Sequence, residues 1–358
     1  MTGDVRAGRG TLLGDEAEVP QRRQREGGLR SLTASAHQAR RPFGNDSCPS
    51  GGGDDRRPAV AASRLSATLG AIMPVWQIAP SQSGRNRGWV AMKLAGKTVL
   101  ITGASQGLGA ATARAMAARG AEILLLARSE DKLREVATTI EGSGGRAHVY
   151  PVDLADLDAV MATADAIKTH KLLPDVIVNN AGIGRWLFIE ETSLEEMQAI
   201  MAVPYFEAFA VTKAFLAEMA ERGSGNVCNI YSPGAWFPFP GSVAYTAARW
   251  ALRGFSAALR VDMRGTGVPV TDIVLAKIAS NYWENNPGSE ERLPWVSRLI
   301  PTLSVDQAAA IVTRAVERER REATGPLMYS LFHQIGRPFP RFVHWCVCFS
   351  GAKRPSRQ

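Results

Sequence analysis

Four cysteines and five histidines are all the soft metal-binding chemistry that 358 residues carry. Cys346 and Cys348 are one residue apart, and no second Cys or His pair completes a zinc site. So low a count also excludes a disulfide-stapled secreted module and suits a reducing compartment, so a cytoplasmic location is expected. Cys228 lies in an apolar run and is expected as a small core residue. No stretch of eighteen or more apolar residues occurs, and a conventional membrane-spanning helix is not expected. Lysine is missing altogether from residues 1–91, where thirteen arginines stand against eight acids amid many Gly, Ser and Pro.

That uneven charge matters more than the average. Residues 1–91 hold most of the formal net charge of +8, and the chain from Met92 onward is close to balanced. The pI of 9.6 is therefore no nucleic-acid footprint on the folded part, and no nucleic-acid partner is expected. Segments such as GDEAEVPQRRQREGGLR show no helical or strand period and cannot bury enough apolar surface to offset their ordering entropy. Residues 1–91 are thus expected to be a disordered extension, or a spurious one if Met92 is the true start. The competing reading is an Arg-rich arm for an anionic partner. The apolar patch from Leu69 to Pro80 has neither the charged start nor the cleavage site of a signal peptide.

After Met92 short β-branched runs alternate with amphipathic stretches. Thr98–Thr102 reads as a buried strand, followed by a helix from Gly107 to Arg119. Strands are expected at Ile123–Ala127, His148–Val152, Val176–Asn179, Asn226–Tyr231 and Val268–Leu275, the last closing the run. Helices fill the gaps: one through Ile140, one over 155–170, a long one within 193–222, and one from Val243 to Arg264. Such alternation means right-handed βαβ units and an α/β fold with a doubly wound parallel sheet, Rossmann-like, in a single domain over 92–331. Residues 332–358 are set apart as a basic, aromatic tail.

Thr102-Gly103-Ala-Ser-Gln-Gly107-Leu-Gly109 links the first strand directly to a helix. Glycines allow a sharp turn and close backbone approach to a pyrophosphate, and the helix N-terminus offers it unpaired N–H groups. The strand–turn–helix context makes this glycine pattern specific. TGASQGLG resembles the TGxxxGxG turn of the short-chain dehydrogenase/reductase family. Asn179-Asn180-Ala181-Gly182 resembles its NNAG motif, and Ser232 with Tyr245 thirteen residues later resembles its catalytic pair. The likeness runs from about Lys93 to Asn285 and more loosely to Leu331.

The resemblance implies a nicotinamide dinucleotide held by Gly103, Ser105, Gln106, Gly107, Leu108, Gly109, Asn179, Ala181 and Gly182, with Asp153 and Leu154 at the adenine. Residues Tyr245 and Arg249 would border the nicotinamide ribose. The second strand ends in Leu126-Ala127-Arg128, without the acid that usually binds the ribose hydroxyls of NAD, and Arg128 suits a 2′-phosphate. NADP(H) is therefore expected over NAD(H), although Gln106 stands where many NADP-preferring relatives carry a basic residue.

By resemblance Tyr245 is the acid/base and Ser232 orients the substrate oxygen. A phenol, with pKa about 10 in water, needs a nearby cation to act near neutrality, a role the family gives to a Lys four residues on. Here that position is Arg249, which shares the helix face but is bulkier and planar. Pro204 occupies the expected place of the family's relay Asn, and Val274-Leu-Ala276-Lys277 that of its Pro-Gly. These departures keep a second reading open, a dinucleotide-binding sensor or scaffold without turnover. Trp186, Leu187, Phe188, Trp236, Phe237, Phe239, Tyr282 and Trp283 fall in loops expected to border the pocket, favouring a lipophilic alcohol, aldehyde or ketone. The alternative is that these aromatics are loop packing or a dimer contact. Arg337 to Phe349 alternates basic and aromatic residues and suits three roles: peripheral membrane contact, a cover for the pocket, or a subunit contact. The family implies a homo-oligomer.

Overall fold

The computed structural model describes residues 92–336 and 338–354. The expectation of a disordered extension over 1–91 lies outside the described residues.

The β-branched and leucine-rich runs form seven parallel strands. They are β1 (Thr98–Thr102), β2 (Glu122–Ala127), β3 (Arg146–Pro151), β4 (Val176–Asn179), β5 (Asn226–Tyr231), β6 (Val270–Leu275) and β9 (Glu322–Gly325), in spatial order β3-β2-β1-β4-β5-β6-β9. Two further two-residue strands, β7 (Ile278–Ala279) and β8 (Leu303–Ser304), pair with each other beyond the sheet. The strand period of two sorts the side chains. Val99 and Ile101 pack on one face with α1 (Gly107–Ala117), α2 (Glu130–Gly142) and α8 (Val305–Glu317); Leu100 packs on the other with α3 (Leu157–Thr169) and α5 (Glu207–Glu221). Helix α6 (Val243–Asp262) also covers that second face through Leu259. Truncating a residue such as Ile101, which has no exposed surface, to Ala would cost about 2–5 kcal/mol. Cys228 is fully buried in the sheet, as expected, and burial pushes its thiol well above the usual range.

Strand order reverses between β1 and β4, so their carboxyl ends diverge and open a crevice there. Both loops that matter, after β1 and after β4, empty into it.

Three elements differ from the sequence-based expectation. The strand run does not close at Leu275: β9 adds a seventh strand, its Gly325 paired with Leu275. The long helix is one continuous path from α4 (Leu194–Met201) to α5, but Ala202–Phe206 makes a π-helical turn, in which the Glu207 N–H reaches back five residues to the Ala202 carbonyl. Pro204 is the physical reason, since it has no N–H to continue the α-helical ladder. The supposed tail is helical, with α9 (Leu327–Gly336) crossing the expected 331/332 boundary and α10 (Pro340–Ser350) packing Val343 and Val347 against Phe237.

The path Leu194–Glu221 is long and apolar enough to cross a membrane, with mean hydropathy 1.4 over eighteen residues, which the count of consecutive apolar residues did not anticipate. Half of that window is buried within the fold.

Candidate active site

The turn after β1 shows why its glycines are needed. Gly103 and Gly107 have φ of +64° and +55°, the left-handed region that side chains disfavour. Gly109 is required by space: a Cβ there would lie 2.2 Å from the Gly103 carbonyl oxygen and 2.6 Å from the Asn180 amide nitrogen. Helix α1 begins at Gly107 with no side-chain cap and no acid in its first turn. Its free N–H groups therefore face the cleft as an anion site.

Gly103, Ser105, Gln106, Gly107, Leu108, Gly109, Arg128, Asp153, Leu154, Ala181 and Gly182 all line this one cleft of about 1140 Å³. Arg128 is exposed just after β2, and Lys132, in the first turn of α2, lies on the same rim and donates to Gln106 Oε1 at 3.3 Å. Sequence reasoning missed Lys132, although a second cation so soon after Arg128 was a usable signal.

Asn179 is a correction. It does not line the cleft but is 2% exposed, its amide donating to Thr212 Oγ1 at 3.1 Å and Asn229 Oδ1 at 2.7 Å. A buried polar chain continues from Asn229 through Ser256 to Asp272, which pairs with Arg260. Strand alternation turns Asn179 into the α5 side of the sheet, and the matching Asn229 at the same register of β5 was the available clue. Its neighbour Asn180 faces the crevice instead, donating to the Thr102 and Gly103 carbonyls at 2.9 and 3.3 Å.

At the other end of the cleft the Tyr245 hydroxyl donates to Ser232 Oγ at 2.8 Å. Ser232 Oγ also accepts the Gly234 N–H at 3.2 Å, so its own proton is left to donate outward. Tyr245 stands in the first turn of α6, and Ser232 follows β5; strand and helix together fix the pair. The Arg249 guanidinium carbon is 5.0 Å from the Tyr245 ring centroid. Arg249 as a whole is 6% exposed, and its guanidinium lies against the Gly182 backbone, where a Cβ would come within 2.4 Å of Nη2. Helical spacing thus brings the cation to the phenol, and Gly182 makes room for its greater bulk.

Glu207 was not anticipated. It follows the π turn one helical turn after Pro204, has no exposed surface, and neither carboxyl oxygen has a well-formed hydrogen bond. Burial pushes its pKa up to about 8, with the Thr102 hydroxyl and Arg249 pulling the other way. Desolvating a carboxylate costs several kcal/mol, more than these two neighbours return at longer range, so the acid is mainly neutral at pH 7. A charged residue three positions after a proline inside an apolar helix was the sequence signal. Tyr282 was read only as apolar wall, yet its hydroxyl donates to the Gly184 carbonyl at 2.9 Å, and burial together with Tyr245 raises its pKa.

The aromatic expectation divides. Trp186, Phe237, Phe239, Tyr282 and Trp283 line the cleft, with Trp186 centred among Phe239, Tyr245 and Trp283 at 4.6, 5.5 and 5.9 Å. Leu187 is buried behind the wall, Phe188 lies under Arg292 and Trp236 under Arg253. Phe332 of α9 and Val347 of α10 complete this end, Val347 being the one residue of the Arg337–Phe349 stretch that lines the cleft among the described residues. Lys277, in place of the Pro-Gly, turns to an ion pair with Glu290. No cluster of three metal-ligating side chains occurs among the described residues.

Comparison with known proteins follows the same geometry. Residues 97–290 match the family described as short chain dehydrogenase. The chain is 34% identical over 241 residues to an uncharacterized oxidoreductase of Mycobacterium tuberculosis, covering 64% of this chain and 67% of that one. It is 32% identical over 237 residues to a fatty acyl-CoA reductase of Acinetobacter baylyi, covering 64% and 76%. A metagenomic short-chain oxidoreductase solved in complex with NADP superposes with a TM-score of 0.55 at 28% identity, covering 65% of this chain and 97% of that one. A glycine cradle that no Cβ would fit, a helix N-terminus free of acids and these relatives agree with a nicotinamide dinucleotide as cofactor. The chain is an oxidoreductase and belongs to the short-chain dehydrogenase/reductase family.

Proposed function

We propose that the chain interconverts a lipophilic alcohol and its aldehyde or ketone, using NADP(H) in preference to NAD(H). The observation that carries this reading is the Tyr245–Ser232 hydrogen bond of 2.8 Å, set in an aromatic-walled cleft whose far rim holds Arg128 and Lys132.

The chain's residues divide the work. The α1 N-terminus and the backbone from Gly103 to Gly109 would hold the pyrophosphate, and Asp153, Leu154 and the turn from Asn180 to Gly182 would hold the rest of the dinucleotide. Arg128 and Lys132 would meet a 2′-phosphate as charge-assisted donors, worth about 1.5–3 kcal/mol each where well formed. The nicotinamide, when bound, supplies or takes up the hydride. Ser232 donates its free proton to the substrate oxygen and so fixes the carbonyl. In reduction Tyr245 gives its phenolic proton to that oxygen as the C–H bond forms; in oxidation it takes the proton back. Arg249, buried beside the ring, stabilises the phenolate that results. Glu207 stands behind this pair as a neutral acid, compatible with a cation that must not be neutralised by a full countercharge. The aromatic cluster around Trp186 and the apolar side chains Phe332 and Val347 favour an apolar substrate, and one relative's printed name, fatty acyl-CoA reductase, is in keeping with that.

The test is NADPH consumption by the full chain over a panel of apolar aldehydes and ketones. The expected result is turnover that Tyr245→Phe lowers by roughly 10²–10⁴-fold, the usual worth of a general acid. A second reading, cofactor binding without turnover, is favoured by Pro204 in the relay position and by the Arg249 Nε, which has no hydrogen-bond partner. Tight NADPH binding with no turnover on any substrate would establish that reading instead.

A further inference from the structure

No acidic residue follows Glu322, while Arg337, Arg341, Lys353, Arg354 and Arg357 lie in the last 36 residues. In the described part of this stretch, α9 and α10 are apolar on two faces each. Helix α9 buries Tyr329, His333 and Gly336 and turns Leu327, Met328, Leu331 and Ile335 outward; α10 buries Val343, Val347 and Ser350 and turns Phe342, Trp345 and Phe349 outward. With Phe339 between the helices, all eight outward side chains are between 49% and 76% exposed. The aromatics form a ladder, with Phe342 and Trp345 stacked at 6.3 Å and Trp345 and Phe349 at 5.6 Å. Single exposed apolar residues need no explanation, but a run of eight on consecutive helices marks a surface that another phase or molecule covers.

The flanking charge selects the occupant. Arg341, His344, Lys353 and Arg354 are exposed, and Arg341 and Lys353 make no ion pair among the described residues; Arg354 pairs with Glu190. A two-fold contact with a second copy would set like basic patches against each other, which disfavours it. An anionic lipid surface answers both features, accepting aromatic rings at the head-group level and basic side chains at its phosphates. We infer that α9 and α10 form a docking face for an anionic bilayer surface, with the Phe342–Trp345–Phe349 ladder entering the interface and Arg341 and Lys353 meeting lipid phosphates.

Position gives the contact a use. Met328 and Phe332 of α9, Val347 of α10, and Val296 and Leu299 of the adjoining Trp295–Leu299 turn line the cleft, and Trp295 and Leu299 are themselves more than half exposed. The docking face is thus the outer side of the substrate wall. An apolar substrate dissolved in the bilayer would pass from lipid to cleft without crossing water; this last step alone rests on the substrate class proposed above.

The test is flotation of the full chain with vesicles of phosphatidylcholine alone and of equimolar phosphatidylcholine and phosphatidylglycerol. The expected result is binding to the anionic vesicles at least ~10-fold stronger than to the neutral ones, since each basic contact adds about 1 kcal/mol. The triple variant Phe342→Ser/Trp345→Ser/Phe349→Ser should lower that binding at least ~10-fold while still binding NADPH, which shows that it folds. Should the triple variant not fold, Trp345→Ser alone serves the same comparison. Arg341→Gln/Lys353→Gln should remove most of the preference for anionic lipid. Anionic binding that the ladder variants leave unchanged would overturn the inference and assign the contact to the Arg-rich residues 1–91. Absence of vesicle binding, with a ladder variant of lower mass in solution than the parent, would overturn it in favour of a second copy.

Discussion

At the dinucleotide end of the cleft, the turn from Gly103 to Gly109 keeps every glycine that its backbone needs, and Gly109 has 2.2 Å of room where a Cβ would stand. At the catalytic end Tyr245 and Ser232 are in place, but Pro204, Arg249 and Lys277 stand where the family resemblance leads one to expect Asn, Lys and Pro-Gly. The difference follows from what each end asks of its residues. A phosphate cradle is made of backbone shape, which no other residue type can imitate once φ is positive and the contact is tight. Proton transfer asks for a cation near a phenol and a route for a proton, and more than one set of side chains can supply these. The exchanges are also not independent of each other. Pro204 forces the π turn, the π turn is followed by the buried Glu207, and Glu207 feels Arg249 across the interior.

The comparison can be broken most sharply at Gly109. Gly109→Ala should drive Cβ into the Gly103 carbonyl and weaken NADPH binding by roughly 10–100-fold, corresponding to an overpacking strain of about 1–3 kcal/mol. Fluorescence titration with NADPH reads this directly, and unchanged affinity would show that the cradle tolerates a side chain. Arg128→Ala acts on the same end but on one phosphate only. It should weaken NADPH by about tenfold and leave NADH within a factor of two, the loss of one charge-assisted hydrogen bond. Equal losses for both nucleotides would place Arg128 on the adenine and remove the argument for NADP(H).

Glu207 gives the smallest and most specific effect, a dependence of stability on pH. Its pKa rises from an ordinary carboxyl value in the unfolded chain to about 8 in the folded one. Between those values the folded state holds a proton that the unfolded state has lost, so this group's contribution to stability declines as pH rises from about 4.5 toward 8. Glu207→Gln removes that decline. The variant should therefore gain in Tm relative to the parent on going from pH 5.5 to pH 8, measured by thermal melts in matched buffers. A constant difference across that range would mean that Glu207 is ionised in the folded protein and paired with Arg249.

Most of the frame is legible in the residues themselves. β-Branched runs four to six residues long alternate with amphipathic stretches, and that period is strong because both faces of a parallel sheet are buried. β9 was not legible, since Glu322-Ala-Thr-Gly325 carries no apolar run and forms only because β6 offers an open edge. The C-terminal helices were hidden for a different reason: Pro338 and Pro340 punctuate the stretch at the junction of α9 and α10, so it did not read as continuous helix. At the site, Tyr245, Ser232 and the glycines could be found because motif spacing is local. Asn179 was misplaced because side-chain direction depends on sheet register, and Glu207 was missed because its burial depends on the π turn Ala202–Phe206 that precedes it.

A double-mutant cycle on turnover with NADPH reads the coupling of the exchanged residues. Pro204→Asn and Arg249→Lys should each lower kcat by about tenfold with NADPH affinity held within a factor of three, and the double variant should lose little more than either single one. That corresponds to a coupling of about 1 kcal/mol or more between residues that share one function. Losses that multiply would contradict that coupling and leave Pro204 and Arg249 as separate substitutions around an otherwise ordinary tyrosine.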